Sequence, residues 1–382
     1  MRIGLIINPI AGMGGKVGLH GTDGDLYLRA QALGALPVSG DRALETLNSI
    51  VDLSEKIVFV THEGEMGSEF VSSLGFVTEV LIDSSQVVSS SADTKLVAEK
   101  MLESGVELIL FSGGDGTARD IFEVVGERIP MLGIPAGVKM RSGVFSLSPL
   151  AAGELMRRFV ATPEMTPIHR VEILDVVLEG VENTWLPDEF FGVARAPFSQ
   201  AHLQMAKSVS SVRGDAGIDA LAQELASSLE TASLYLIGPG TTTHRILDAM
   251  GLVGDVRGVD AVFRNQIIGR DLSENEILEL LKEHPNATLF LGVIGGQGFL
   301  LGRGNQQLSS KVIEAVKPTN IVLISSADKI GRLFPAHLHV DLGDGRVESL
   351  LAGYHQVLVA PGRSIMCQIV IPDRCQQESI AV

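Results

Sequence analysis

The chain has 382 residues, 45% of them hydrophobic and 20% charged, which excludes a disordered, collagen-like or disulfide-dense protein and allows two domains. With 30 basic and 46 acidic residues the net charge is −16, which argues against a nucleic-acid backbone or an anionic membrane as the main partner. A phosphorylated small molecule stays compatible with that charge, because backbone dipoles can bind phosphate inside an acidic protein.

Residues 3–7 form a continuous apolar run rich in isoleucine, the pattern of a strand buried on both faces. Similar runs recur at 57–60, 77–82, 108–111 and 131–134. Between them, residues 92–102 place Leu96, Val97 and Met101 on one helical face and Glu99, Lys100 and Glu103 on the other. Strand alternating with helix predicts a parallel sheet covered on both sides, with ligands beyond the carboxyl ends of its strands. A helix is expected over 151–160, then strands at 171–178 and 190–194 around Trp185, which suggest a small antiparallel β element. Another helix is expected over 218–229. Strands at 234–237, 259–263, 288–294 and 321–324 then alternate with helices at 242–250, 274–283 and 310–316, a second α/β pattern. Residues 337–371 read as strands and turns folding back on either unit. The expected division is an α/β domain over 1–150, a second mixed α/β domain over 151–336 and a β-rich C-terminal segment over 337–382.

Cys367 and Cys375 lack metal-ligand spacing and read as unpaired thiols of a reducing compartment. No stretch reaches the roughly 18 apolar residues of a membrane span, so the expected location is the cytoplasm, with no membrane and no nucleic acid as partner. Self-association into a homo-oligomer is left open.

Chemistry concentrates in Gly113-Gly114-Asp115-Gly116-Thr117, between the run ending at Phe111 and a helix beginning near Thr117. Three glycines let backbone N–H groups turn toward one point, where a helix N-terminus adds partial positive charge. Such a loop suits a phosphate. Asp115 is repelled by that phosphate unless it holds Mg²⁺ or takes a proton from an attacking hydroxyl, so it is the candidate catalytic residue and metal ligand.

The Gly-Gly-Asp-Gly-Thr loop resembles the signature of the superfamily containing NAD kinases, diacylglycerol kinases and sphingosine kinases. Asn8-Pro9-Ile10-Ala11-Gly12-Met13-Gly14-Gly15 resembles its first-strand Asn-Pro motif, and Gly133-Ile134-Pro135-Ala136-Gly137 its proline and glycine loop. Together with Pro-Ala-Gly-Val-Lys-Met at 135–140, Gly-Pro-Gly-Thr-Thr-Thr at 238–243 and the run from Gly295 to Gln307, these segments are similar to the ATP-NAD kinase family proteins, a subgroup similar to the acetoin catabolism protein X. The resemblance implies an NAD kinase-like Rossmann-type N-terminal domain and a kinase that uses ATP, or polyphosphate, with Mg²⁺ to phosphorylate the 2′-hydroxyl of NAD. On that reading Asp115 is the base or metal-organising carboxylate, Gly113, Gly114, Gly116 and Thr117 surround the phosphates, and Asn8, Gly12 and Gly14 face the same cleft.

In NAD kinases an Asn-Glu pair in a β-rich second domain grips the dinucleotide. Here the Asn-Glu dipeptide is Asn275-Glu276, and Ser273 to Glu276 reads as a capping box opening a helix. Another hydroxylated metabolite therefore stands beside NAD as acceptor, and, since glycine loops suffice for binding alone, a nucleotide-binding accessory role without transfer is a further reading.

Gly238, Gly240, Thr241 and Thr242 repeat the plan of glycines and hydroxyls at a helix start, against the alternative of a threonine helix cap. In the 295–307 run, Arg303 can engage phosphate bidentately and Asn305 can read a base edge or ribose hydroxyl, with Gly296 as a close-approach position. Gly137 and Lys139 complete the candidate phosphate contacts. Asp341 and Asp344 flank a glycine, where a solvated turn is favoured over a Mg²⁺ pair.

Overall fold

The five apolar runs of the first 135 residues all become strands. They are β1 (Arg2–Ile7), β2 (Val58–His62), β3 (Val77–Ile82), β4 (Leu108–Gly113) and β5 (Met131–Pro135). The helices α1 (Asp25–Ala32), α2 (Ser39–Ser49), α3 (Ser68–Ser73), α4 (Ser91–Ser104) and α5 (Asp115–Val125) lie between them, and α6 (Pro149–Ala161) follows. These assignments come from a computed structural model that describes residues 1–19, 21, 25–82, 90–138, 140–175, 189–199, 202–203, 216–294, 297–333 and 337–371.

The strands pair in parallel in the order β3-β2-β1-β4-β5. Every residue of β4 and β5 is buried, as strands with helices on both faces require. The chain leaves β1 toward β2 and leaves β4 toward β5, so the direction of strand addition reverses between two neighbours. That reversal opens a crevice beyond their carboxyl ends, where Asn8 and Gly113 sit.

Local signals set the helix limits. Helix α4 begins with a Ser90–Asp93 capping box and stops at Gly105 in the left-handed conformation. Helix α6 starts with Ser148 as N-cap and Pro149 in its first turn. Leu47 of α2 and Ile50 at its end, Val97 and Met101 of α4, Ile121 and Val125 of α5 and Leu155 of α6 share one core with the five strands. The antiparallel pair β6 (Ile168–Asp175) and β7 (Glu189–Pro197) joins this core through Ile173, Ala194 and Ala196. Residues 176–178 of the expected strand, Trp185 and Cys375 lie outside the described residues.

The second unit holds β8 (Leu234–Ile237), β9 (Asp260–Phe263), β10 (Gln266–Gly269), β11 (Ala287–Gly292), β12 (Phe299–Leu301), β13 (Ile321–Ile324), β14 (His337–Val340), β15 (Gly353–Ala360) and β16 (Arg363–Val370). Its helices are α7 (Ala216–Ser228), α8 (Thr241–Ala249), α9 (Glu274–Glu283), α10 (Ser310–Val316), α11 (Ala327–Gly331) and α12 (Gly345–Leu351). Among the described residues these strands form one mixed sheet of order β10-β9-β8-β11-β13-β15-β16-β14-β12. Residues 337–371 thus supply three of its strands and also a helix, α12. The all-strand-and-turn reading of that segment misses this helix because Asp344, its N-cap, accepts from the Arg346 and Val347 amides, and beside Gly343 a capping Asp resembles a turn Asp.

The capping box at Ser273–Glu276 is present in α9 as expected, with both reciprocal hydrogen bonds. Ser273→Ala is expected to lower stability by about 1 kcal/mol, measured as a shift in the urea midpoint at unchanged slope.

Candidate active site

Strand β4 delivers Gly113 and Gly114 into the crevice, and α5 begins at Asp115 with Gly114 as an N-cap that makes no side-chain cap bond. The amides of the first turn lack intrahelical acceptors, so they face the crevice with the positive end of the helix dipole. Asn8, just after β1, donates from its amide nitrogen to the Thr117 hydroxyl at 2.9 Å, and its backbone N–H donates to Ser112 O at 2.9 Å. The Asn-Pro motif and the glycine loop are therefore one construction, buttressed across the two switch-point strands.

The loop after β5 folds onto the same place. Ala136 and Gly137 donate from their amides to Gly113 O at 3.1 and 2.9 Å. Gly137 approaches Gly114 so closely that a Cβ there would lie 2.5 Å from the Gly114 Cα. Gly12, at φ +80°, likewise leaves no room for a Cβ against Ala136 O. Gly137→Ala is expected to cost about 1–3 kcal/mol through forced backbone separation, read as a fall in the thermal midpoint.

Asp115 is buried, with 6% of its surface exposed. Its Oδ2 accepts from the Arg141 amide at 2.8 Å, and its Oδ1 accepts from the Ser142 amide at 3.0 Å and the Ser142 hydroxyl at 2.7 Å. Three of the four lone-pair sites of a carboxylate are thus engaged. Burial pushes the Asp115 carboxyl up to about 7 against the pull of the Ser142 and Arg141 hydrogen bonds, and the charge of Asp175 adds to the rise. Asp175, at the end of β6, is in turn paired with Arg119 of α5 at 2.7 Å.

A carboxyl poised near neutrality at a helix N-terminus, on a glycine loop at a sheet switch point, is suited to proton exchange beside a bound phosphate. The family model of the ATP-NAD kinase N-terminal domain matches residues 3–165, the stretch that builds this crevice. Residues 3–165 are thus similar to an ATP-NAD kinase N-terminal domain. No curated protein and no solved structure matches the chain. The matched stretch carries Asn8, Gly12, Gly14, Gly113, Gly114, Asp115, Gly116, Thr117 and Gly137 in loops that touch one another. Lys139 and Gly296 lie outside the described residues.

The second unit contributes to this crevice by a different route from the expected one. Arg303 and Asn305, expected to contact ligand, are held by protein groups. Arg303 is buried, donates to Asp341 at 2.9 Å and to Leu147 O at 3.0 Å, and stacks over Phe299. Asn305 donates to Leu300 O at 2.7 Å and accepts from the Gly302 amide at 3.0 Å. The solvated turn expected at Asp341 is also corrected: Asp341 is 8% exposed and is gripped by both Arg42 of α2 and Arg303.

The glycines and threonines at 238–243 lie beyond β8, and their hydrogen bonds run within the second unit. The Thr243 hydroxyl bonds to Gly238 O and Gly240 O at 2.6 and 2.9 Å, and Lys329 donates to the Thr242 hydroxyl at 2.9 Å. Helix α8 starts from Gly240 with no side-chain cap bond, so none of the threonines acts as the N-cap.

Two residues around Asp115 escape sequence reasoning, Ser142 and Asp175. No spacing relates either of them to the glycine loop, since they reach it only through the β5 loop and β6.

Proposed function

We propose that the protein is a small-molecule kinase that transfers a phosphoryl group from ATP to a hydroxyl, with Asp115 accepting the hydroxyl proton and NAD as the leading acceptor. The observation that carries this reading is Asp115 itself: a buried carboxylate placed by three donors at the mouth of a phosphate-type loop. A loop built for binding alone gains nothing from a carboxylate facing phosphate, because like charges repel.

On this reading the amides of Gly114 to Thr117 receive phosphate oxygens at the α5 N-terminus. Asn8 fixes Thr117 so that its hydroxyl stays in the loop, and Gly137 closes the backbone over Gly114. Asp115 has one lone-pair site that no described residue uses, which is the position for an incoming hydroxyl proton. A bound Mg²⁺ would neutralise charge on the phosphates. With the last Asp115 site given to that proton, Asp175 is the neighbouring hard oxygen donor that would hold the Mg²⁺, which fits an ion bound largely through substrate phosphates. Among the described residues no group of three or more His, Cys, Asp or Glu side chains forms a metal cage.

A second acceptor reading has its own support. Asn275-Glu276, the Asn-Glu dipeptide of this chain, lies in the first turn of α9, where Glu276 closes the capping box. That argues for a hydroxylated acceptor held by other residues of the second unit. Incubation with ATP, Mg²⁺ and NAD, scored for NADP and for ADP, tests both. NADP formation supports NAD. ADP release with another hydroxylated metabolite and none with NAD supports the second acceptor. Nucleotide binding with no transfer to any acceptor overturns the kinase reading.

Among the described residues no helix is long and apolar enough to cross a membrane.

A further inference from the structure

The ribbon that follows β5 is bonded on two sides, and the two sides belong to different units. Toward the N-terminal unit it turns amides: those of Arg141 and Ser142 hold Asp115. Toward the second unit it turns carbonyls. Gln306 donates from Nε2 to Gly137 O at 3.1 Å and to Val138 O at 2.7 Å. The Gly304 amide donates to Val138 O at 2.8 Å. Gln297, 6% exposed, donates from Nε2 to Met140 O at 2.8 Å.

Other bonds brace the same arrangement. Gln306 packs its aliphatic stem so closely on Gly15 that a Cβ there would meet it at 2.9 Å. Arg42, held by Asp341, donates from Nε to Pro135 O at 2.9 Å. Arg303, held by the same carboxylate, reaches Leu147 O. The ribbon is thus tied at Pro135, Gly137, Val138, Met140 and Leu147, while the intervening amides at 141 and 142 are left to Asp115.

We propose that Gln297 and Gln306 are positioning residues for phosphoryl transfer, clamping the 137–142 ribbon from the second unit so that Arg141 and Ser142 present their donors to Asp115. The proposal rests on the kinase reading for its catalytic consequence, and on hydrogen-bond geometry alone for the clamp. Neither glutamine touches the reacting atoms. Each acts through peptide carbonyls at most five residues from the donors, close enough that losing one lets the ribbon shift by a fraction of an ångström or more. Misplacement of about 1 Å at a reacting centre can cost about a hundredfold in rate.

The test uses the full chain with Gln297→Met and Gln306→Met, which keep side-chain length and remove the donors. Hydrogen exchange of the peptide covering 136–147, followed by mass spectrometry, is expected to quicken about tenfold or more in each variant, with residues 3–7 of β1 unchanged. With ATP, Mg²⁺ and whichever acceptor the wild type turns over, kcat is expected to fall about tenfold to a hundredfold while KM for ATP stays within about twofold. Gln306→Asn, which retains the amide on a shorter stem, is expected to recover part of kcat. A lower unfolding midpoint with unchanged exchange at 136–147 would overturn the clamp. Faster exchange with unchanged kcat would overturn the positioning role. Because exchange needs no turnover, a failure of the kinase reading is told apart from a failure of the clamp.

Discussion

Asp115→Asn is expected to lower phosphoryl transfer by about 10²–10⁴-fold with ATP affinity retained, since the α5 amides that receive phosphate are backbone groups. Single-turnover transfer and equilibrium nucleotide binding, measured on the same preparation, check the two halves of the statement. Equal losses in transfer and in ATP affinity would place Asp115 in binding and remove it from the chemistry.

The same substitution has a signature in stability. Burial holds the Asp115 carboxyl at about 7 in the folded chain, whereas an unfolded Asp titrates near 4. Between those values the folded chain keeps a proton that the unfolded chain releases, so this group makes stability fall as pH rises from about 4 to about 7, and adds no slope above or below. The interval corresponds to about 4 kcal/mol. The carboxamide that replaces the carboxyl cannot titrate, so the stability difference between variant and wild type is expected to drift in favour of the variant across that range and then level off. Urea unfolding at intervals from pH 4 to 9 reads the drift. The slope is diagnostic, because the offset also contains the mismatch of a side-chain amide facing the Arg141 and Ser142 donors.

The second large effect concerns Asp341. Its carboxylate is the shared acceptor of two guanidinium groups, the buried Arg303 and the partly buried Arg42. Burial alone would raise the Asp341 carboxyl, but the charges and hydrogen bonds of both arginines hold it down to about 2. Arg303 is pulled by burial to about 10 and so keeps its charge at neutral pH. Asp341→Asn keeps the volume and strands one buried and one partly buried cation, so it is expected to cost about 3–5 kcal/mol. The wild-type contribution is present above about pH 4, where the unfolded carboxyl is ionised, and is lost as pH falls through the folded value of about 2. Denaturant unfolding of the variant at pH 7, and of the wild type between pH 5 and 2, measures the cost and the window. A double substitution, Asp341→Leu with Arg303→Met, is expected to regain part of the loss, because removing opposed buried charges together avoids the unpaired one.

The N-terminal sheet was legible because its evidence is local. An uninterrupted Ile-Gly-Leu-Ile-Ile run can hardly be anything except a doubly covered strand, and glycines beyond the strand ends mark close backbone approach. The Gly113–Thr117 loop is legible for the same reason, since loop, glycines and carboxylate adjoin in the chain. Residues 302–307 show the opposite case. An Arg and an Asn among glycines carry the same local pattern whether they meet a phosphate or a neighbouring carbonyl, and only the folded chain reveals that Asp341, Leu147 and Leu300 meet them first. Ser142 and Gln297 are harder still, because their partners lie 27 and 157 positions away in the chain. Hydrogen bonding to a backbone carbonyl asks for a donor at a place, and leaves no periodicity for a reader of the sequence to find.

The double-sided bonding of the 137–142 ribbon has a consequence for the order in which the protein is made. Translation at about 5–20 residues per second brings Gln297 and Gln306 off the ribosome roughly 8–30 s after Ser142. In that interval β1 to β5 and α5 can assemble and the glycine loop can form, yet the ribbon beside Asp115 is held on one side only. On the proposed reading a nascent or prematurely terminated chain could bind nucleotide without spending it. Catalytic competence would arrive late, as a property conferred on the first half of the polypeptide by the second.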